Sequence, residues 1–350
     1  MKKKSNLYYT IFYVILLSFS MYVLLDTFVI PHSIAQVQSD ADDSTANAQK
    51  QEKTSDSAAS AQGQDETGDS AASVQKQGET DNSAASVQGQ NEIGDVDTQS
   101  QTQEAVWTDN SYTDENISIT IETREVCNTT VYIADVQLSS AEYLKTALAN
   151  DTFGTNVTET TSAQAEAKRA ILAVNGDYYG ANKTGYVIKN GTVYRDSVRN
   201  DSEYDDLIIY EDGSFGIINE TEISAEQLVE NGVTQLFAFG PALVENGEIA
   251  VDQNSEVGKA MASNPRTAIG VIDQLHYVFV VADGRSSESE GFSLYELAEL
   301  LQECGCETAY NLDGGGSSTM YFNGQVINKP TTNGHSFKER EVSDIVYIGY

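Results

Sequence analysis

Apolar and polar residues alternate with a period of two through two long segments in the middle of the chain. These segments are 117–125, which reads ISITIETRE, and 130–138, which reads TVYIADVQL. A period of two places successive side chains on opposite faces of an extended chain, so both are predicted as β-strands. Shorter apolar runs predict further strands at 170–174, 186–188, 206–210, 235–239, 267–272, 277–281 and 346–350.

Helical spacing replaces this alternation in three segments. In 293–304 leucines recur at intervals of three and four, which lines one face of a helix: Leu294, Leu297, Leu300 and Leu301. Segments 139–149 and 162–169 are also predicted as helices. Asn-Gly pairs at 190–191 and 323–324 predict hairpin turns. The pattern as a whole predicts an α+β fold, in which a single strand-rich domain at 107–350 contains two or three helices.

The N-terminal segment is apolar over a length that suits a membrane. Three lysines at 2–4 precede residues 7–25, which carry no charge. Nineteen residues at 1.5 Å each nearly span a hydrocarbon core of about 30 Å. We therefore expect residues 1–35 to form a single-pass anchor of the cell membrane, with the bulk of the chain outside. The alternative is a signal peptide cleaved after 33–35 (Ser-Ile-Ala), which would make the protein secreted.

A polar segment of low complexity follows the anchor. Ser-Ala-Ala-Ser recurs at 57–60, 70–73 and 83–86, a period of 13 residues, with Gln, Gly, Asp and Glu between. It has too little apolar surface to offset the entropy of ordering the chain. Residues 36–106 are therefore predicted to be a disordered acidic spacer.

Charge narrows the choice of partners. The chain has 53 Asp and Glu against 20 Lys and Arg, a formal net charge of −33. Nucleic-acid binding needs clustered Lys and Arg, so a nucleic-acid partner is excluded. The net negative charge of the chain would repel an anionic substrate, so such a substrate would need local positive charge at its site. This directs attention to single arginines in the folded part. The three Cys and the few His lack the spacing of a zinc site.

Candidate chemistry concentrates where apolar strands end in an aspartate beside glycine. The run 311–320 reads NLDGGGSSTM, in which Asp313 and three glycines follow a strand. Glycine allows backbone N–H groups to converge on an anion, although a plain turn between strands is the other interpretation. Asp177 and Asp283 end two further strands in the same way. Three such ends, together with Arg266 in the run at 265–270, indicate one edge of a sheet that presents a site.

Several of these strings resemble one known family. They are NGDYY at 175–179, PRTAIG at 265–270, DGR at 283–285 and NLDGGGSSTM at 311–320. In this order, over roughly 115–350, they resemble the phosphodiester glycosidase family. The resemblance implies hydrolysis of the bond between a sugar C1 and an esterified phosphate. The implied substrate is a GlcNAc-1-phosphodiester-like linkage in extracellular or cell-wall glycopolymers.

The resemblance and the chemistry together suggest roles for single residues. Asp177 and Asp313 are the candidates for base or nucleophile, because glycosidases place two carboxylates about the anomeric carbon. Arg266 and Arg285 are predicted to neutralise the departing phosphate. The residues expected to assist in binding are Asn175, Asn311, Gly314, Gly315, Thr319 and Arg340. Asp177, Asp283 and Asp313 together are an alternative site for a divalent cation such as calcium.

Two other functions remain open on the sequence. The same fold could serve as a non-catalytic glycan-binding protein of the cell wall, which would bind without turnover. A serine hydrolase would need Ser317 or Ser318 beside a histidine, and His276 and His335 are the two histidines of the domain.

Overall fold

The computed structural model describes residues 32–33, 105–199, 205–255 and 263–350. The predicted membrane helix at 7–25 and almost all of the predicted spacer lie outside these residues. The helices that are described are all too short or too polar to cross a membrane. All of the described residues belong to one compact unit.

The described residues form 21 strands and three α-helices, numbered here along the chain. The strands are β1 (His32–Ser33), β2 (Val106–Trp107), β3 (Ser111–Thr113), β4 (Ile117–Val126), β5 (Thr129–Leu138), β6 (Leu144–Leu148), β7 (Gly154–Thr155), β8 (Leu172–Asn175), β9 (Val187–Lys189), β10 (Thr192–Arg195), β11 (Asp206–Tyr210), β12 (Phe215–Ile218), β13 (Val233–Phe237), β14 (Ala242–Glu245), β15 (Glu248–Ile249), β16 (Arg266–Asp273), β17 (His276–Ala282), β18 (Thr308–Leu312), β19 (Met320–Phe322), β20 (Gln325–Val326) and β21 (Asp344–Ile348). The helices are α1 (Thr161–Lys168), α2 (Ala225–Glu230) and α3 (Leu294–Glu303).

Two antiparallel sheets dominate the architecture. The larger has nine strands in the order β15-β14-β18-β16-β17-β5-β4-β3-β2, and the smaller has five in the order β20-β19-β8-β21-β6. A third sheet, β12-β11-β13, and the hairpin β9-β10 pack with α2 into a smaller apolar cluster. The remaining pair, β1-β7, is two residues long in each strand.

The main core lies between the nine-stranded and the five-stranded sheets. It joins Val136 and Phe279 of the larger sheet to Leu172 and Val346 of the smaller one, all fully buried. The outer face of the larger sheet is covered by α3, and the outer face of the smaller one by α1. The layers are therefore helix, sheet, sheet and helix, held together by apolar burial between each pair.

Strand β17 shows how the sequence encodes this layering. Its residues Tyr277, Phe279 and Val281 face the core between the sheets, while Val278 and Val280 face α3. Alternate side chains of a strand point to opposite faces, so a strand covered on both faces is a continuous apolar run.

Most of the predicted elements are confirmed, with bounds that differ by at most two residues. The strands expected at 117–125 and 130–138 are β4 and β5, and the helix expected at 293–304 is α3. A capping box begins α3, since Ser293 accepts from the Glu296 amide and Glu296 accepts from the Ser293 amide. Both Asn-Gly turns are present, with their residues at positive φ.

The helix predicted over 139–149 is wrong. Residues 141–143 form a single 3₁₀ turn, and the chain then continues as β6, paired in register with β21 from Leu144↔Ile348 to Leu148↔Asp344. Over so short a run the apolar positions fit both the helical period and the strand period. The pairing with β21 makes the segment a strand. The third helix is α2, which the apolar pattern had not indicated.

Shortening a side chain of α3 tests the packing of this layer. Leu297 is fully buried against the larger sheet, so Leu297→Ala is expected to lower the free energy of unfolding by about 2–5 kcal/mol. Glu299 lies exposed on the same helix, and Glu299→Ala is the control, with a change within about 0.5 kcal/mol. Urea unfolding of both variants gives the two values. Equal losses would contradict the assigned packing.

Candidate active site

The candidate site lies where one strand of each large sheet ends. The Asp313 amide, just after β18, donates to the Gly176 carbonyl, just after β8, at 3.2 Å. Asn175 Nδ2 donates to the Asp313 carbonyl at 2.6 Å, while Asn175 Oδ1 accepts from the Thr267 hydroxyl at 2.8 Å and from the Thr319 amide at 3.2 Å. The amide group of Asn175 is thus engaged within the protein and joins the two sheets, instead of facing a substrate.

Asp177 is held in one orientation by the backbone. Its Oδ1 accepts from the Tyr179 amide at 2.9 Å, and its Oδ2 accepts from the Ala238 amide at 3.0 Å. The side chain is almost fully buried. Two backbone donors on a buried carboxylate fix its rotamer and leave further lone pairs on each oxygen.

Asp313 is paired with an arginine from the C-terminal part of the chain. Its Oδ2 accepts from Arg340 Nη2 at 2.9 Å and from the Ser317 hydroxyl at 2.6 Å. Arg340 Nε in turn donates to Ser317 Oγ at 2.8 Å, so the three side chains form a closed triangle. Burial raises the pKa of Asp313, and the charge of Arg340 and the hydrogen bond from Ser317 oppose that rise.

These groups meet at a small cavity. Asp177, Asp313 and Arg340 line a space of about 200 Å³ together with Tyr178. Tyr178 is 48% exposed, so its ring offers an aromatic face beside the two carboxylates. The structure therefore brings together three of the predicted residues and adds an aromatic neighbour that the prediction had omitted, although it is part of the NGDYY string.

Arg285 belongs to the same charged cluster. Its Nε and Nη2 donate to Asn264 Oδ1 at 3.1 and 2.9 Å, and its Nη1 donates to the Thr332 carbonyl at 2.8 Å. Burial lowers the pKa of Arg285, the charge of Arg340 lowers it further and Asp313 opposes this. Gly315 has a φ of +62°, and a Cβ there would lie 2.9 Å from Arg285 Nη2, so a larger residue would strain the backbone and displace the guanidinium.

The glycine loop does not form the open anion nest that its sequence suggested. The Gly315 amide donates to the Pro265 carbonyl at 2.8 Å, and the Ser317 amide donates to the Gly314 carbonyl at 3.3 Å. The Gly314 carbonyl also accepts from Arg340 Nη2 at 3.2 Å. Within the described residues the loop therefore supports Arg340 more than it presents donors to a ligand.

Three further predicted binding residues are enclosed and do not line the cavity. Arg266 is almost fully buried, and its Nε donates to the Phe292 carbonyl at 2.9 Å. Asn311 Nδ2 donates to the Gly240 carbonyl at 2.7 Å, and Thr319 is fully buried. The structure does not bring these side chains to the space between Asp177 and Asp313.

The cation alternative is not supported by the arrangement of carboxylates. Among the residues that the structure describes, no group of three His, Cys, Asp or Glu side chains is placed to hold a metal ion. Asp283 accepts from Asn328 Nδ2 at 3.1 Å and from the Lys329 amide at 2.9 Å, and so stabilises a neighbouring turn. Asp283 thus does not join Asp177 and Asp313 in a common site.

The serine-hydrolase alternative also lacks its geometry. Ser317 is fully buried between Asp313 and Arg340, and His276 pairs with Asp135 at 2.9 Å. His335 is exposed in the loop that precedes Arg340. In the described part of the chain, neither histidine forms a hydrogen bond with a serine of the glycine loop.

A larger cleft lies elsewhere, with a volume of about 630 Å³. Its lining includes Lys145, Tyr210 and Gln235, and none of Asp177, Asp313 and Arg340. Size alone would favour this cleft as the active site. We place the site in the smaller cavity because the paired carboxylates and the arginine are there, and chemistry outweighs volume.

Two buried charged residues next to the site were not predicted. Lys189 and Asp344 form an ion pair of 2.7 Å, and both are almost completely buried. Asp344 opens β21, directly after the segment that carries Arg340. The only sequence signal was an ionisable residue at the edge of each of two apolar runs, which is common at strand ends.

Comparison with known proteins finds one matching family model and several relatives. A family model described as phosphodiester glycosidase matches residues 168–349, slightly more than half of the chain. The chain is 32% identical over 201 residues to the SPbeta prophage-derived uncharacterized protein YomE of Bacillus subtilis (strain 168), with 57% of this chain and 31% of that protein covered. It is 33% identical over 128 residues to N-acetylglucosamine-1-phosphodiester alpha-N-acetylglucosaminidase of Homo sapiens, with 33% and 24% covered. The chain thus spans about a quarter to a third of the length of these relatives.

A solved structure shows the same fold. It is the catalytic domain of zebrafish N-acetylglucosamine-1-phosphodiester alpha-N-acetylglucosaminidase, auto-inhibited by its pro-peptide. The TM-score is 0.53 at 23% identity, and the match covers 67% of this chain and 83% of the zebrafish domain.

A methyl group at Gly176 tests the packing beneath Asp177. A Cβ there would lie 2.6 Å from Asp344 Oδ2, and the carboxylate is fully buried, so it has no free space to move into. Gly176→Ala is expected to destabilise the fold by about 1–3 kcal/mol in urea unfolding. The control is Gly349→Ala, whose Cβ would meet its neighbours at an ordinary 3.6 Å. An unchanged Gly176→Ala protein would show that Asp344 does not occupy this position.

Proposed function

The chain belongs to the phosphodiester glycosidase family, and from that membership and the geometry of the site we propose that it hydrolyses sugar-1-phosphodiesters. The scissile bond joins the anomeric carbon of the sugar to an oxygen of the phosphodiester. One observation carries the proposal: two buried carboxylates, Asp177 and Asp313, share a cavity with Arg340. Paired carboxylates serve glycosidic cleavage, and an arginine serves a departing phosphate.

Asp177 is the carboxylate that we assign to the anomeric carbon. Its backbone partners, the Tyr179 and Ala238 amides, hold it still while each oxygen keeps a lone pair for the cavity. Acting as base or as nucleophile, it promotes addition of an oxygen to C1. The bond from C1 to the phosphate oxygen breaks, and the phosphate leaves with the electron pair as a phosphomonoester. Water supplies the hydroxyl of the free sugar.

Arg340 is assigned to the phosphate. Asp313 and Ser317 hold its Nη2 and Nε, whereas its Nη1 has no acceptor among the described residues. That nitrogen carries two N–H donors, which suit a phosphate oxygen as negative charge develops on it. Asp313 therefore orients Arg340 on the leaving group, and Arg285 adds a second positive charge to the same cluster.

The sugar and the setting are finer parts of the proposal. The mammalian relatives are named for N-acetylglucosamine, and we assign that sugar to this chain as well. The exposed ring of Tyr178 offers a face on which a sugar ring can stack. The lysines at 2–4 and the apolar run at 7–25 support an anchor that holds the domain outside the cell, where glycopolymers of the cell wall are the substrates.

Release of free sugar by the full chain tests the proposal. UDP-GlcNAc and methyl-phospho-GlcNAc are expected to yield N-acetylglucosamine with and without EDTA. Asp177→Asn removes the proposed base or nucleophile, and Asp313→Asn removes the carboxylate that orients Arg340, so each is expected to lower kcat by about 100-fold or more. Asp273 is exposed at the end of β16, and Asp273→Asn is the control with unchanged kcat.

Two results would revise this account. A loss below about tenfold in Asp313→Asn would remove Asp313 from the machinery. Saturable binding of wall polymer by the wild-type chain without any turnover would replace the enzyme by a glycan-binding protein.

The assignment of Arg340 predicts a dependence on the leaving group. Arg340→Gln is expected to lower kcat/KM by about 100- to 1000-fold for methyl-phospho-GlcNAc. The loss is expected to be smaller for a p-nitrophenyl phosphodiester, whose leaving group develops less localised charge. Arg124 forms an ion pair with Glu122 outside the cavity, so Arg124→Gln is the matched control. Equal losses with both substrates would contradict contact between Arg340 and the phosphate.

A further inference from the structure

A buried ion pair lies behind Asp177 and takes no part in the proposed chemistry. Lys189 Nζ is 2.7 Å from Asp344 Oδ2, and the two side chains are 2% and 0% exposed. Removing two charges from water is costly, and apolar residues of similar size often replace such a pair without loss of stability. The position of this pair therefore calls for an explanation other than stability.

Asp344 supports the segment of chain that leads into Asp177. Its backbone carbonyl accepts from the Gly176 amide at 2.9 Å. Its carboxylate occupies the space over Gly176, where a Cβ would come within 2.6 Å of Oδ2. The carboxylate of Asp344 thus packs on the backbone one residue before Asp177.

Lys189 supports the segment that donates to Asp177 from the other side. Its Nζ lies 3.7 Å from the centroid of the Phe237 ring, a cation–π contact. The next residue, Ala238, donates its amide to Asp177 Oδ2. Lys189 therefore contacts both supports of Asp177, namely Asp344 and the strand end at Phe237.

Charged groups in this region affect the pKa values of their buried neighbours. Burial raises the pKa of Asp344, with Lys189 opposing the rise and Asp177 adding to it. Burial, Asp344 and Asp177 together raise the pKa of Tyr179. Arg195, whose pKa is lowered by burial, also senses the charge of Asp177. Burial also raises the pKa values of Asp206 and Asp313, and the charge of Asp177 adds to both rises. Without Lys189, these carboxylates would share a medium that disfavours their joint ionisation.

We propose that Lys189 and Asp344 are positioning residues for Asp177, which fix its carboxylate between Tyr179 and Ala238 and set the pH range in which it acts. This inference rests on the proposed role of Asp177 in sugar-1-phosphodiester hydrolysis. Neither residue lines the cavity. Both act on the substrate only through Asp177.

The role of the Lys189–Asp344 ion pair is tested by two variants, each of which removes the charge of one partner. Lys189→Met removes the buried positive charge that favours the ionised form of the nearby carboxylates, so the acidic limb of the kcat/KM profile is expected to move to higher pH by about one unit. Asp344→Asn leaves Lys189 alone, and the limb is expected to move to lower pH. KM for methyl-phospho-GlcNAc is expected to change less than kcat, because the cavity lining is intact.

Lys168→Met is the matched control. Lys168 pairs with Asp151 at the surface, where the side chains are 29% and 73% exposed, so its loss is expected to leave the profile unmoved. The inference would be overturned if Lys189→Met and Asp344→Asn both fold but the acidic limb of the kcat/KM profile is unchanged. It would also be overturned if the limb moves in the same direction in both variants.

Amide NMR of the full chain gives a readout that does not require turnover. The Ala238 and Tyr179 amides donate to Asp177, so their proton shifts follow the charge of that carboxylate as the pH is changed. Their midpoints are expected to move up in Lys189→Met and down in Asp344→Asn. If the wild-type chain shows no turnover, the proposed function fails while this titration still decides the inference. If Lys189→Met does not fold, the Asp344→Asn variant decides alone. An unchanged midpoint of the amide titration in that variant would overturn the inference.

Discussion

The site depends on one buried amide that ties the two large sheets together. Asn175 Nδ2 donates to the Asp313 carbonyl, and Asn175 Oδ1 accepts from Thr267 and from the backbone of Thr319. Because these contacts fix the end of β8 against the end of β18, the residues that follow each strand emerge side by side. A buried amide with all its hydrogen bonds made specifies a single arrangement of the groups around it. Asp177 and Asp313 share a cavity for this reason.

Positive charge is scarce in this acidic chain, which has 20 Lys and Arg, and three of these side chains lie at or beside the site. Against a formal net charge of −33, Arg340 pairs with Asp313, Arg285 adds its charge to that pair, and Lys189 pairs with Asp344. Low local polarity strengthens each of these interactions and makes an unpaired charge expensive. The cluster is therefore suited to an anionic substrate that the surface of the protein as a whole would repel.

The sequence allowed much of the fold and part of the site to be predicted. Strands β4 and β5 and helix α3 were recognisable because their apolar periods run for ten residues. Asp177 and Asp313 were recognisable because each follows an apolar strand beside glycine. Strand β6 was predicted as a helix, because its five residues fit both the helical and the strand period. Only its pairing with β21 makes it a strand.

Direction and burial of side chains could not be predicted from a single sequence. Arg266 and Asn311 have the chemistry of ligands, but strand register turns them into the protein, where they bind carbonyl groups. Lys189 and Asp344 are separated by more than 150 residues, and only the packed sheets bring them together. These four cases share one cause, which is that the partner of a polar group is set by tertiary structure.

The most direct measurement is a crystal structure of Asp313→Asn soaked with methyl-phospho-GlcNAc. The account predicts a sugar ring beside Tyr178, its anomeric carbon facing Asp177 and its phosphate on Arg340. A ligand bound in the larger cleft lined by Lys145 and Tyr210, with the cavity at Asp177 empty, would contradict it.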